Sequence, residues 1–159
     1  MKTLVAGVGN IFLSDDGFGV EVARRLAGDR ARDGVRVADY GIRGLHLAYE
    51  LMDGYDTLIL IDTVDRGGAA GTVYVIDPEV TGADAEPMDG HDMTPEAVLT
   101  VLTSLGGTLG RVVVVGCEAA DLSEGIGLSL PVARAVEDAV NVVRELLDEF
   151  QNETTREVG

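Results

Sequence analysis

Three segments of this chain carry residues whose types and positions favour chemistry. Two adjacent acids, Asp15 and Asp16, follow a glycine-rich turn. Asp62 ends the apolar run LILID, and His91 lies in the acidic segment MDGHDMTP. Carboxylates and an imidazole are the oxygen and nitrogen donors that suit Ni, Zn, Co or Mn. Two of these carboxylates together with His91 would form an open site for such a divalent ion, built from loops that are far apart in the sequence.

Each acid also has a structural interpretation. Asp15 and Asp16 stand where a helix begins, and the helix dipole stabilises carboxylates in the first turn. One acid is enough for that role, which leaves the other as a candidate functional group. Asp62 either binds a cation or caps a neighbouring helix or loop, because a carboxylate at the end of a buried strand needs a compensating partner.

The other reactive side chains have less favourable positions. His46 lies within the helical segment GLHLAYELM and is interpreted as a packed or half-exposed helix residue. Cys117 ends the apolar run VVVVGC, where a buried, inert thiol is favoured over a nucleophile with His91 as its base. A GxSxG motif is absent, which excludes an α/β-hydrolase triad. The opening turn also lacks the third glycine of a dinucleotide-binding fingerprint, where Phe12 stands instead.

The elements that must position these residues alternate between strand and helix patterns. Strands are predicted at 4–8, 35–40, 57–64, 71–77 and 111–117, and helices at 18–27, 44–52, 94–106 and 130–150. The link at 66–68 is too short for a helical crossover, so the fourth strand is predicted to be an antiparallel edge strand. We predict an α/β three-layer sandwich with a twisted, mostly parallel five-stranded sheet between helices. One domain is expected over 1–150, followed by a polar, frayed tail at 151–159.

This topology predicts where the candidate residues meet. Ligands of open α/β sheets bind beyond the carboxyl ends of the parallel strands. Residues 10–16 follow the first strand, Asp62 ends the third, and Cys117 and Glu118 follow the last. The loop that carries His91 is expected at the same edge.

Composition excludes several classes of partner. The chain has 28 acidic against 12 basic residues and a net charge of -16, which argues against binding to nucleic acid or to anionic membranes. Its single cysteine indicates a reducing cytoplasm. Neither a transmembrane segment nor a signal peptide is expected.

Five segments together resemble the hydrogenase maturation endopeptidases, which trim the C-terminus of the large subunit of nickel–iron hydrogenases. In chain order they are GVGNIFLSDDGFGVEVARRL, DYGIRGLHLAYEL, LILIDTVDRGGAAGTVYVI, GHDMTPEAVLTVL and VVVVGCEAADLSEGIGLSLPV. The resemblance extends to about residue 147 and implies an α/β fold with a twisted sheet between helices. It also implies that Asp16, Asp62 and His91 contact the metal and act in catalysis.

Two positions depart from the family pattern. The first metal ligand is often Glu in the family, and Asp16 is one methylene shorter. The segment after the last strand often runs Glu-Pro, whereas Glu118 precedes Ala119 here, so no role is carried over to that pair.

The resemblance implies a specific endopeptidase that removes the C-terminal extension of a hydrogenase large-subunit precursor after nickel insertion. The precursor would supply the nickel, and the isolated protein would be a monomer without metal. Backbone amides around Gly9, Asn10, Gly41 and Gly44 are expected to pair with the extended substrate tail. A non-cleaving module that binds nickel or the precursor, and a small-molecule α/β metalloenzyme, remain as alternatives.

Overall fold

The secondary structure follows the predicted alternation of strands and helices. A computed structural model describes residues 1–77 and 95–158. The strands are β1 (Thr3–Val8), β2 (Val35–Gly41), β3 (Thr57–Val64), β4 (Val73–Ile76) and β5 (Arg111–Glu118). The helices are α1 (Phe18–Ala27), α2 (Gly44–Leu51), α3 (Pro95–Ser104) and α4 (Leu130–Val158), and a 3₁₀ turn (Ser14–Gly17) precedes α1.

The strands form one five-stranded sheet in the order β2-β1-β3-β5-β4. The pairs β1–β2, β1–β3 and β3–β5 are parallel, and β4 pairs antiparallel with β5 at the edge. The predicted mostly parallel sheet with one antiparallel edge strand is therefore confirmed. The short link after β3 accounts for the reversal, because it leaves no room for a crossover helix.

Two apolar cores lie on opposite faces of the sheet. Successive strand residues point to opposite faces, so Leu4 and Leu58 belong to one core, and their neighbours Val5 and Ile59 belong to the other. Helices α1 and α4 cover the face with Val5, and α2 and α3 cover the face with Leu4. The sheet thus lies between two helical layers, as predicted.

Two glycines allow α1 to approach the sheet closely. A Cβ atom on Gly7 of β1 would lie 2.1 Å from the carbonyl oxygen of Gly19 in α1. A Cβ atom on Gly19 would lie 2.1 Å from the carbonyl oxygen of Ile61 in β3. These distances are far below any allowed contact, so only glycine permits this packing of backbone against backbone. The glycines of the opening segment thus position the helix that follows the 3₁₀ turn.

The last helix is longer than the sequence pattern predicted. We expected it to end at residue 150, but α4 continues to Val158. Residues 151–158 contain neither glycine nor proline, so nothing in that segment stops the helix. Among the described residues, no helix is both long and apolar enough to cross a membrane.

Candidate active site

The candidate site lies beyond the carboxyl end of β1, between the two directions in which strands are added to the sheet. The chain passes from β1 to the edge strand β2 on one side, and later adds β3 on the other side of β1. Helices α1 and α2 accordingly cover opposite faces. The region beyond the carboxyl ends of β1 and β3 is therefore the topological switch point, the usual ligand position in open α/β sheets.

The turn after β1 places Asp16 at this switch point. Gly9 has a φ of +129°, and a Cβ atom there would lie 1.9 Å from the backbone oxygen of Asp16. The Asn10 amide donates a hydrogen bond to Oδ2 of Asp16 at 2.7 Å. Oδ1 of Asn10 accepts one from the Phe12 amide at 2.9 Å. The backbone of the glycine turn therefore holds Asp16 against the end of β1, and the Asn10 side chain stabilises the turn through Phe12.

Thr63, in β3, links Asp16 to the second candidate acid. The Thr63 hydroxyl donates to Oδ1 of Asp16 at 3.2 Å, and the Thr63 amide donates to Oδ1 of Asp62 at 2.8 Å. All three residues are half-buried. Two carboxylates that are 46 positions apart in the sequence thus share one bridging residue at the switch point.

Asp15 has a different environment from its neighbour. It is completely buried. Its Oδ2 accepts hydrogen bonds at 2.8 Å from the amides of Ala120 and Asp121 and from the Ser129 hydroxyl. Its Oδ1 accepts one from the Ser129 amide at 2.7 Å. Burial by itself would raise the pKa of Asp15, but these donors outweigh it and hold that pKa below its ordinary value.

The loop at 119–129, between β5 and α4, is fastened to the turn before α1. Ser14 has a φ of +52°, and its amide donates to the Gly125 carbonyl at 2.9 Å. Its hydroxyl donates to the Ser123 carbonyl at 2.8 Å. Together with the Asp15 carboxylate, these bonds make the loop and the 3₁₀ turn one ordered unit beside Asp16. Asp15 is therefore the structural acid of the pair.

Glu118 fixes the turn between β3 and β4. It is 4% exposed. Its Oε1 accepts hydrogen bonds from the Arg66 amide at 2.6 Å, the Gly68 amide at 3.1 Å and the Tyr74 hydroxyl at 3.1 Å. Burial opposes ionisation, yet these donors hold the pKa of Glu118 below its ordinary value. The family comparison assigned no role to Glu118; the structure gives it this structural one.

Cys117 is buried as its structural interpretation predicted, whereas His46 is exposed rather than packed or half-exposed. Cys117 is completely buried, and burial, with the charges of Asp15 and Glu118, raises the pKa of its thiol to about 11. The thiol is therefore neutral at physiological pH, whereas nucleophilic cysteines have lowered pKa values. His46 is exposed on α2.

Comparison with known proteins identifies the family. The model of the hydrogenase maturation proteases matches residues 20–146. The hydrogenase 2 maturation protease of Escherichia coli is 32% identical over 152 residues, which cover 94% of this chain and 92% of that protein. The chain belongs to the hydrogenase maturation protease family. A putative hydrogenase maturation protease of Methanocaldococcus jannaschii is also 32% identical, over 145 residues.

Solved structures agree with this membership. The hydrogenase maturating endopeptidase HybD from E. coli superposes with a TM-score of 0.81 at 30% identity, covering 94% of this chain and 93% of that chain. A hydrogenase 2 maturation peptidase from a Thaumarchaeota archaeon gives a TM-score of 0.71 at 34% identity, covering 92% of this chain and 98% of that chain. The fold of this maturation protease and its assignment as a peptidase are thereby established.

Two of the three predicted metal-contacting residues of this maturation protease accept hydrogen bonds from the same residue. Asp16 and Asp62 are both bonded to Thr63, and carboxylate oxygens suit a borderline divalent ion. His91 lies outside the described residues. Within residues 1–77 and 95–158, no group of three or more His, Cys, Asp or Glu side chains is placed to hold a metal ion. The complete three-residue site therefore stays a prediction.

Three of the four amides expected to bind a substrate tail have acceptors within the protease itself. The Gly9 amide donates to the Gly41 carbonyl at 3.0 Å, and the Gly44 amide donates to the Ile42 carbonyl at 3.1 Å. The Asn10 amide is bonded to Asp16. These three groups shape the site, so pairing with a substrate in this conformation requires other groups near the end of β2. Substrate binding by this region stays a prediction.

Sequence reasoning missed one residue of the site, and only the family resemblance, not the residue pattern, distinguished the two adjacent acids of this protease. Thr63 was not singled out, although a hydroxyl directly after an acid at the end of a buried strand could have indicated it. The division of roles between Asp15 and Asp16 had no local signal, because the partners of Asp15 are 105 or more positions away.

Proposed function

We propose that this protein removes the C-terminal extension of a nickel–iron hydrogenase large-subunit precursor after nickel has been inserted. Membership of the maturation protease family supports the reaction class. The observation that carries the assignment of the site is the placement of Asp16 and Asp62 around Thr63 at the switch point. Nickel is cargo of the precursor in this proposal, and the isolated protein holds none.

Asp16, Asp62 and His91 contact the nickel of the docked precursor. Their carboxylate and imidazole donors are of the kind that borderline divalent ions accept. Contact with an ion that is already bound in the precursor fixes the position of the nearby scissile bond, and such positioning can supply a large part of a rate enhancement. A carboxylate beside the scissile bond can also accept a proton from the attacking water.

The extended tail of the precursor lies along the exposed side of the sheet near the end of β2. β2 is an edge strand, paired on one side with β1. An extended peptide can add to such an edge through main-chain hydrogen bonds. Gly41 and Gly44 flank the carboxyl end of β2, close to the Gly9–Asn10 turn. The protease works as a cytoplasmic monomer in this proposal.

The experiment is incubation of the protein with nickel-loaded precursor and measurement of intact mass. Wild type is compared with Asp16→Asn, Asp62→Asn and His91→Ala, and the exposed His46→Ala is the matched control. We expect loss of a C-terminal peptide with wild type and the control only, and only from loaded precursor. Thermal melting of each variant shows that it is folded.

Other outcomes identify the alternatives. A stable complex with an unchanged precursor mass would indicate a non-cleaving binding module. Absence of both cleavage and complex would contradict the proposal and favour a small-molecule α/β metalloenzyme. Cleavage that survives all three substitutions would retain the protease activity but refute the assigned site.

A further inference from the structure

We propose that Thr63 is a positioning residue that sets the relative geometry of the Asp16 and Asp62 carboxylates. The inference rests on the proposed function, in which these two acids meet the nickel of the precursor. It concerns a residue that contacts both acids, through two different donors on one backbone position.

Thr63 bonds to the two acids through two different donors, its amide and its hydroxyl. The Thr63 amide donates to Oδ1 of Asp62 at 2.8 Å, and its hydroxyl donates to Oδ1 of Asp16 at 3.2 Å. A threonine hydroxyl has a single proton to donate, and this one is directed to Asp16. The backbone of Thr63 is fixed by the sheet, where it lies opposite Cys117 of β5. Both carboxylates are therefore held relative to the same backbone position of β3.

The Thr63 hydroxyl gives the Asp16 carboxylate a second hydrogen bond. Oδ2 of Asp16 already accepts the Asn10 amide at 2.7 Å. A single bond leaves the carboxylate able to turn about that contact, whereas a second bond, on Oδ1, fixes its plane. Each carboxylate oxygen can accept more than one bond, so both retain the capacity to meet a cation. The hydroxyl thus orders Asp16 without blocking it.

Thr63 also acts on the electrostatic repulsion between the Asp16 and Asp62 carboxylates. Two carboxylates that share a neighbour repel each other, and the repulsion is strongest where water is partly excluded. Donors from Thr63 to both carboxylates offset this repulsion before the precursor arrives. Groups of this kind, next to the residues that contact a metal, commonly change metal affinity or activity by about 10–100-fold when removed.

Substitutions at one position separate this role from a general structural one. Thr63→Val removes the hydroxyl but keeps a β-branched shape that suits a strand. Thr63→Ser restores the hydroxyl. Thr57→Val is the matched control, because Thr57 lies at the start of the same strand and its hydroxyl donates to the Met1 sulfur, at 4.0 Å, rather than to an acid of the site.

We expect Thr63→Val to lower kcat/KM for nickel-loaded precursor by about tenfold or more, with an unchanged melting temperature. Thr63→Ser should recover most of the wild-type rate, and Thr57→Val should retain it. An independent readout is the amide NMR resonance of Asn10, which should move in Thr63→Val and return in Thr63→Ser as the Asp16 carboxylate reorients.

Two results would overturn the inference in different ways from the proposed function. If wild type cleaves and Thr63→Val cleaves equally fast, Thr63 positions nothing. If wild type does not cleave, the proposed function is wrong, and the Asn10 resonance alone decides: an unmoved resonance in Thr63→Val refutes the positioning role as well.

Discussion

Asp15 and Asp16 are consecutive in the sequence, yet their carboxylates belong to different parts of the molecule. Asp15 is completely buried and accepts four hydrogen bonds from the loop at 119–129. Asp16 is half-buried and is bonded to Asn10 and to Thr63 beside Asp62. The 3₁₀ turn that contains both acids separates a structural carboxylate from a candidate functional one.

This division predicts opposite effects for the same substitution. In Asp15→Asn, one oxygen of this buried side chain becomes an NH₂ group, so at least one of its donors loses its acceptor. Each such loss costs about 1–3 kcal/mol of unfolding free energy. Asp16→Asn should leave urea denaturation nearly unchanged but lower precursor cleavage by more than about 100-fold. Equal effects of the two variants on stability would contradict the division.

Acidification should weaken the folded state through the same buried acids. The pKa values of Asp15 and Glu118 are lowered in the folded protein. Their stabilising contribution is therefore complete above the unfolded pKa, near about pH 4, and is lost as pH falls through the folded values. Urea denaturation between neutral and acidic pH should show this loss. The stability difference between wild type and Asp15→Asn should shrink on acidification; a constant difference would count against this account.

The two histidines of the chain form a natural pair for testing the site. His91→Ala should abolish measurable cleavage of loaded precursor, because it removes the proposed imidazole ligand. His46→Ala should cleave at the wild-type rate, because His46 is exposed on α2. Cleavage assays with both variants at matched concentration provide the measurement. Loss of activity in His46→Ala alone would reverse the assignment.

Glu118 should stabilise the turn after β3. Within residues 1–77 and 95–158, the three donors to its side chain, Arg66, Gly68 and Tyr74, all bond to Oε1. Glu118→Ala removes the hydrogen bonds that this buried carboxylate accepts and should lower the unfolding free energy by about 1–3 kcal/mol. Glu118→Gln retains a carbonyl oxygen and should lose less. Hydrogen exchange at the Arg66 and Gly68 amides should accelerate in the alanine variant, and unchanged protection would refute the role.

Local patterns were sufficient for most of the fold. Apolar runs of strand length predicted each strand, and the short link at 66–68 predicted the antiparallel direction of β4, which the sheet confirms. The predicted end of α4 at residue 150 was wrong, because the polar segment after it was interpreted as a frayed tail rather than as helix. Residues such as Gln151 and Glu153 are good helix formers, and α4 continues through them.

The candidate site was only partly accessible to sequence reasoning. Asp62 stood out because a carboxylate ends the apolar run LILID, whereas Asp16 was separated from Asp15 only by the family resemblance. The role of Asp15 depends on donors in a loop more than a hundred positions away, and that of Glu118 on donors about 50 positions away. Pairings of this range come from the tertiary fold, so no local pattern could have revealed them.

The buried Cys117 can be used to measure how often the folded protein opens. The chain has one cysteine, its side chain is inaccessible, and its thiol is neutral at physiological pH. A thiol reagent can therefore modify it only after β5 separates from its neighbours. The labelling rate then follows the population of opened molecules whenever closing is faster than modification. Each variant described above can be ranked for conformational stability in this way, without denaturant and without introducing another cysteine.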